Sequence, residues 1–243
     1  MMLFRLMALL VLTCMPLALK GAENVPFEKV RVDLSDKAAL QEGARTFVNF
    51  CMGCHGTQYQ RYEHVARDLS IPEDVLQKTL IFTEAKPGDH MTSSMRAEDA
   101  MGWFGAVPPD LTLVARVRGE DWLYHYLKGF YEDPSRPWGV NNLVYPNVAM
   151  PNVLGALQGR QACLPVEENS AGSCRELVVI SGTGSQTAEQ FDQTVRHLVA
   201  FLAYSADPNK EKAERIGVYV LAYLAILFVF AYLLKREYWK DVQ

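Results

Sequence analysis

The stretch FCMGCHG, Phe50 to Gly56, sets two thiols three positions apart with an imidazole directly behind the second. Three chemistries share parts of that pattern: a metal clamp, a redox dithiol and a haem tether. A structural zinc ion takes its cysteines in pairs spaced by roughly two to four residues. Cys163 and Cys174, which would have to complete such a site, have ten residues between them. A thioredoxin-like dithiol needs no histidine after its second cysteine and opens a helix that follows a strand, whereas a helical pattern precedes this one. CxxCH is the attachment pattern of c-type haem. There the thiols of Cys51 and Cys54 add across the vinyl groups of one porphyrin edge, and His55 comes to lie under the iron as proximal ligand. Haem is the chemistry that uses all three side chains, with dithiol and zinc as the alternatives.

An iron held by His55 needs a sixth ligand or presents an open face. Met52 sits inside the attachment loop, on the wrong side of the ring. His125 and His197 fall within helical patterns that have other faces to fill. Met91 and Met95, in GDHMTSSM, are loop residues and stay open as ligands. Met150, in NVAMPNVL, is better placed, because Pro151 biases it to an extended backbone that can hold a side chain against a flat ring. Histidine and methionine together raise the potential and close the iron, which favours electron transfer over oxygen chemistry. The segment GAVPPDLTLVARVRGEDW offers a wall for such a pocket. Pro108 and Pro109 form a rigid corner without amide donors, and Arg116 and Arg118 could reach a propionate. The alternation in LTLVARVR also suits a half-exposed strand.

These residues need elements to position them. A helix is expected from Ser35 or Asp36 to about Cys51, with Leu40, Ala44, Phe47 and Cys51 on one face, so its end delivers CMGCH. A second should start at Pro72, a third should stop near Gly129, and a fourth should open with the capping box Thr187/Gln190 and end at Asp207-Pro208. RELVVI is the clearest strand signal. The long Pro/Asn/Gly-rich segment from Asp133 to about Cys174 is too long for a mere connection. The chain of 243 residues thus reads as mainly α, with long loops around one core.

At the N-terminus, a basic residue, an apolar run and small residues at Gly21 and Ala22 read as an export signal. The uncharged run from Ile216 to Leu234, at ~1.5 Å per residue, nearly matches a ~30 Å hydrocarbon layer and should span a bilayer. The expected division is a signal over 1–22, an exported haem domain over 23–209, a juxtamembrane linker over 210–215, an anchor over 216–234 and a cytoplasmic tail over 235–243. In an exported domain Cys163 and Cys174 are expected to pair as a disulfide. Between Glu23 and Asn209 lie 24 acidic against 16 basic residues, a formal charge of −8 where the whole chain carries −4. An acidic domain beside a membrane is poorly suited to nucleic acid and could steer a basic protein partner.

CMGCH after a short helix, PPDLTLVARVRGEDW, the Ala149-Met150-Pro151 triplet and a terminal span ending AYLLKREYWKD together resemble the cytochrome c1 family of the bacterial cytochrome bc1 complex. The likeness runs over nearly the whole mature chain. It implies a cytochrome c-like fold whose first and last soluble helices cross, with Gly43 and Phe47 against Phe201 and Tyr204. It implies one covalent haem c on Cys51 and Cys54, His55 and Met150 as axial ligands, Pro109 lining the pocket and Arg118 meeting a propionate. Trp122 stands where relatives often have tyrosine, and Trp103 and Phe104 where mitochondrial relatives often have asparagine. The resemblance further implies an electron taken from a Rieske iron-sulfur protein and passed to a c-type cytochrome, cytochrome b as neighbour and a dimeric complex. The setting would be the bacterial inner membrane, with the haem domain in the periplasm and the C-terminus in the cytoplasm. The rivals are a haem subunit of a terminal oxidase or nitric oxide reductase, whose anchor more often comes first, and an open-iron gas sensor or peroxidase.

Overall fold

The computed structural model describes residues 28–165 and 174–241. The expected signal over 1–22 and most of the loop between Cys163 and Cys174 lie outside the described residues.

Helix α1 (Lys37–Phe50) opens where the Asp36 carboxylate accepts from the Ala39 amide, and its apolar face buries Leu40, Ala44, Phe47 and Val48. The last soluble helix, α8 (Ala188–Ala206), begins with the reciprocal Thr187/Gln190 capping box and buries Phe191, Val195, Leu198, Val199 and Leu202. These two helices cross at Gly43, where an added Cβ would lie 2.0 Å from the carbonyl oxygen of His197. Only a residue without a side chain permits that approach. One turn on, the rings of Phe47 and Phe201 meet at 5.5 Å. Tyr204 then donates from its hydroxyl to Asp68 at 2.9 Å, which ties α2 (Tyr62–Leu69) to the crossing.

Smaller elements fill the space around this pair. Strand β1 (Thr57–Arg61) precedes α2, and α3 (Glu73–Thr79) starts directly after Pro72. Strand β2 (His90–Met91) pairs antiparallel with β1, setting Thr57 opposite Met91. Helix α4 (Ala97–Phe104) is followed by α5 (Val114–Arg118) and α6 (Glu120–Lys128), which stops at Gly129. The segment LTLVARVR, whose alternation suits a strand, is helical in its second half. Burial there falls on Thr112 and Ala115, three apart, while Val117 is 75% exposed; the core contact follows a helical period because the segment packs on α8.

The long segment after Asp133 is not structureless. It contains β4 (Val140–Asn142), paired with β3 (Phe130–Glu132), then the single turn α7 (Gly155–Gln158) and β5 (Gln161–Pro165). Strand β6 (Cys174–Val179) carries most of the RELVVI signal and pairs antiparallel with β5. Cys163 and Cys174 are disulfide-bonded across that hairpin, with Cα atoms 5.5 Å apart. Helix α9 (Lys210–Tyr238) is continuous and buries none of its side chains. Residues 210–215, expected as a linker, are its first turns. Apolar groups such as Leu221 and Phe228 stand exposed along it, a surface that water would not sustain and a bilayer would cover.

One ionic cluster joins α6 to α8. Lys128 Nζ lies 2.5 Å from Asp192 Oδ1, and Arg196 Nε lies 2.6 Å from Asp192 Oδ2; the Tyr124 hydroxyl also donates to this carboxylate. Partial burial works against the charge, but the hydrogen bonds from Lys128, Tyr124 and Arg196 outweigh it and hold the Asp192 carboxyl well below the usual range. A depressed folded pKa means that the stabilisation is complete above the unfolded carboxylate value of ~3.9 and is lost as pH falls towards the folded one. Asp192→Asn should therefore unfold at lower denaturant than the parent near neutral pH, and the gap should narrow below that range. Denaturation midpoints read by circular dichroism across the acid range check this; a gap constant with pH would contradict it.

Candidate haem site

The end of α1 folds directly into the thiol loop. The Cys51 amide donates to the Phe47 carbonyl, and the amides of Cys54 and His55 both turn back onto the Cys51 carbonyl, at 3.0 and 2.8 Å. Cys51 is buried and its thiol is pushed up to about 12, by burial first and by the neighbouring Cys54 second. Burial raises Cys54 as well. Among the described residues neither is bonded to the other or to a third cysteine. A thiol-disulfide module needs the opposite, a nucleophile shifted down towards neutrality. Among the described residues no cluster of three or more His, Cys, Asp or Glu side chains is arranged to hold a metal ion, so the zinc alternative finds no further ligands there.

His55 is fixed by its other nitrogen. Its Nδ1 lies 2.7 Å from the carbonyl oxygen of Pro109. A carbonyl can only accept, so Nδ1 carries the proton and Nε2 keeps its lone pair. Burial pushes the imidazole pKa down, against smaller upward pulls from the Pro109 carbonyl and Asp110. The result is a neutral, oriented imidazole of the kind that ligates iron.

The corner that holds His55 is itself clamped. The Leu111 amide donates to the Gly56 carbonyl at 2.8 Å. The Asp110 carboxylate accepts from the Gln58 amide at 2.7 Å and the Thr112 amide at 2.9 Å. With the Thr112 amide taken by Asp110, that donor does not compete for the Pro109 carbonyl, which meets the ring.

A second wall comes from α5, α6 and the loop after β4. The Arg118 guanidinium lies over the Trp122 ring, 5.0 Å from its centroid. Trp122 stacks on Tyr126 with centroids 4.8 Å apart and an interplanar angle of 9°. The Tyr126 hydroxyl donates to Met150 Sδ at 3.3 Å. Arg116 faces Asp207, 3.8 Å away, at the end of α8, whereas Arg118 makes no ion pair among the described residues. Two buried asparagines shape the Met150 loop. Asn142 donates to the Tyr126 carbonyl at 2.8 Å and accepts from the amides of Val144 and Tyr145. Asn141 accepts from the Asn147 amide at 2.8 Å. Val148 and Leu154, buried on either side, anchor the strip that carries Met150.

Of the other methionines, Met91 is fully buried in the core, packed behind Gly56. Met95 lines a cleft of about 330 Å³ with Cys54, Gly56, Val107 and Pro108. Trp103 and Phe104 end α4, and the Phe104 ring meets that of Trp138 at 5.2 Å, tilted by 34°. The donor set fits a c-type haem: two free thiols and an imidazole with Nε2 available in one loop, and a thioether held by Tyr126 in another. Tyr126, Asp110 and the Asn141-Asn142 pair did not stand out in the sequence. The spacing of Arg118, Trp122 and Tyr126 by four was the one signal that could have found the first.

The model of the Cytochrome C1 family matches residues 27–242. Cytochrome c1 of Allochromatium vinosum is 49% identical over 228 residues, covering 93% of each chain. The ammonia monooxygenase gamma subunit of Nitrosomonas europaea is 39% identical over 242 residues and the full length of both. Cytochrome c1 of Rhodospirillum rubrum is 26% identical over 86% of this chain and 83% of its own.

Asp110→Ala removes the acceptor for two backbone amides of the His55 corner, at a cost of about 1–3 kcal/mol. Amide hydrogen exchange of Gln58 and Thr112 should speed up while that of α8 stays slow. Unchanged protection at both amides would show that the clamp lies elsewhere.

Proposed function

The chain belongs to the cytochrome c1 family, which makes it a haem electron-transfer subunit of a cytochrome bc1 complex, and from that premise we propose how its residues do this work. Cys51 and Cys54 hold one haem c covalently, His55 is the proximal ligand and Met150 the distal one. Pro109 lines the pocket and Arg118 meets a propionate. The observation that carries the proposal is the His55 Nδ1–H bond to the Pro109 carbonyl, because it leaves the Nε2 lone pair available to a metal. Bound there, haem iron supplies one-electron redox chemistry. The protein's own part is to present two fixed ligands and to keep water from the iron, since a closed iron relays electrons without rebuilding its shell. No substrate bond forms or breaks, so the isolated chain has no catalytic activity of its own.

The chain takes one electron from a Rieske iron-sulfur protein and passes it to a c-type cytochrome. Helix α9 anchors it as a single span beside cytochrome b in the bacterial inner membrane, with the haem domain in the periplasm, the tail in the cytoplasm and the complex dimeric. The charge of −8 between Glu23 and Asn209 supports attraction of a basic acceptor over distances of about a Debye length.

The full-length likeness to the protein named ammonia monooxygenase gamma subunit supports a second reading, in which the same haem domain serves that enzyme. Purification from membranes in mild detergent separates the two. Co-purification with a dihaem cytochrome b and an iron-sulfur protein is expected; isolation with ammonia monooxygenase subunits instead would reverse the choice. In the purified complex, Met150→Leu should keep its haem on a denaturing gel, lower the potential, bind carbon monoxide when reduced and stop quinol-driven turnover. Unchanged turnover without carbon monoxide binding would move the distal ligand elsewhere, with Met95 next in line.

A further inference from the structure

Tyr126 is held more tightly than a wall residue needs to be. Trp122 covers one face in a near-parallel stack at 4.8 Å, and Phe130, itself 1% exposed, meets it edge-on at 5.3 Å. Its backbone carbonyl is taken by the Asn142 side chain at 2.8 Å, so the helix and the Met150 loop move together. With ring and backbone both fixed, the hydroxyl has one direction left, and the atom it meets there is Met150 Sδ at 3.3 Å. A phenol with an ordinary pKa of ~10 is a donor at neutral pH, and a thioether sulfur is a weak acceptor.

We propose that Tyr126 is a positioning residue for the distal ligand, donating a hydrogen bond to Met150 Sδ that tunes the reduction potential, with Trp122 aligning the ring that delivers it. The inference rests on Met150 being the distal ligand. A thioether sulfur has two lone pairs, so one can face iron while the other accepts the hydroxyl. Acceptance draws electron density from the sulfur. Oxidised iron depends on that density more than reduced iron does, so the bond raises the potential. It also orients the sulfur, because the methionine side chain is otherwise flexible about three bonds. The stack of Trp122 on Tyr126 explains how an indole at position 122 still serves the site: its contribution is the flat face, and the hydroxyl comes from the next turn of α6.

The test uses the haem-loaded full chain in mild detergent, comparing the parent with Tyr126→Phe, Trp122→Leu, Trp122→Phe and Met150→Leu. Each is followed by redox titration and by the weak red absorption of a sulfur-to-iron bond. Tyr126→Phe keeps the ring and the stack, and should leave haem attached and the red band present but shifted. Its oxidised form should be favoured threefold to tenfold more than in the parent, a fall of about 30 to 60 mV for one electron. Trp122→Leu should shift the potential in the same direction by less, and Trp122→Phe should restore it. If Tyr126→Phe matches the parent in potential and band while Met150→Leu loses the band, the hydroxyl does not act on the ligand and the inference falls alone. If Met150→Leu keeps the band, the ligand assignment falls and takes the inference with it.

Discussion

The contact on which the rest depends is the crossing of α1 and α8 at Gly43, where a backbone carbonyl occupies the space a side chain would need. Close packing of this kind deforms little, so the two helices form a rigid unit with useful ends. The C-terminal end of α1 delivers Cys51, Cys54 and His55. The C-terminal end of α8 leads through Asp207 and Pro208 into α9. One interhelical contact thus ties the thiol loop to the helix that leads into α9.

Around this unit the chain is short of regular structure, and polar side chains do what a core cannot. Loops carry backbone groups that must find partners. Asp110 supplies two for the His55 corner, Asn142 supplies three for the Met150 loop, and Asp192 gathers Tyr124, Lys128 and Arg196 where α6 meets α8. Each sits at the base of one wall of the site. The walls are therefore fixed independently, each by its own polar brace and both by the same helix pair. Such a design holds His55 and Met150 in place through the protein's own contacts.

The parts legible in the sequence were those whose signals are local. Caps at Asp36 and Thr187 and the apolar stripes of α1 and α8 mark their own ends, and those helix limits follow them to within a residue or two; the uncharged run marks only the middle of α9, which extends beyond it on both sides. CMGCH was legible because two thiols and an imidazole stand together in five consecutive residues. LTLVARVR was not, because eight residues of alternation serve strand and helix alike until α8 decides which face is buried. Arg116 and Arg118 looked equivalent; Asp207, just over ninety residues on in the sequence, claims the first, and Trp122 lies beneath the second. Tyr126 was overlooked for a related reason. Its partner comes from a loop that the buried Asn141 and Asn142 hold in place, and no local pattern announces such a return.

We propose that this chain is the electron exit of a quinol-oxidising complex. It is tested most directly by mixing the oxidised, detergent-purified complex with ubiquinol and following c-type haem absorbance, with the Rieske iron-sulfur protein present or removed. The account expects one electron per chain to arrive rapidly when the iron-sulfur protein is present and the haem to stay oxidised when it is absent. Reduction at the same rate without the iron-sulfur protein would contradict it.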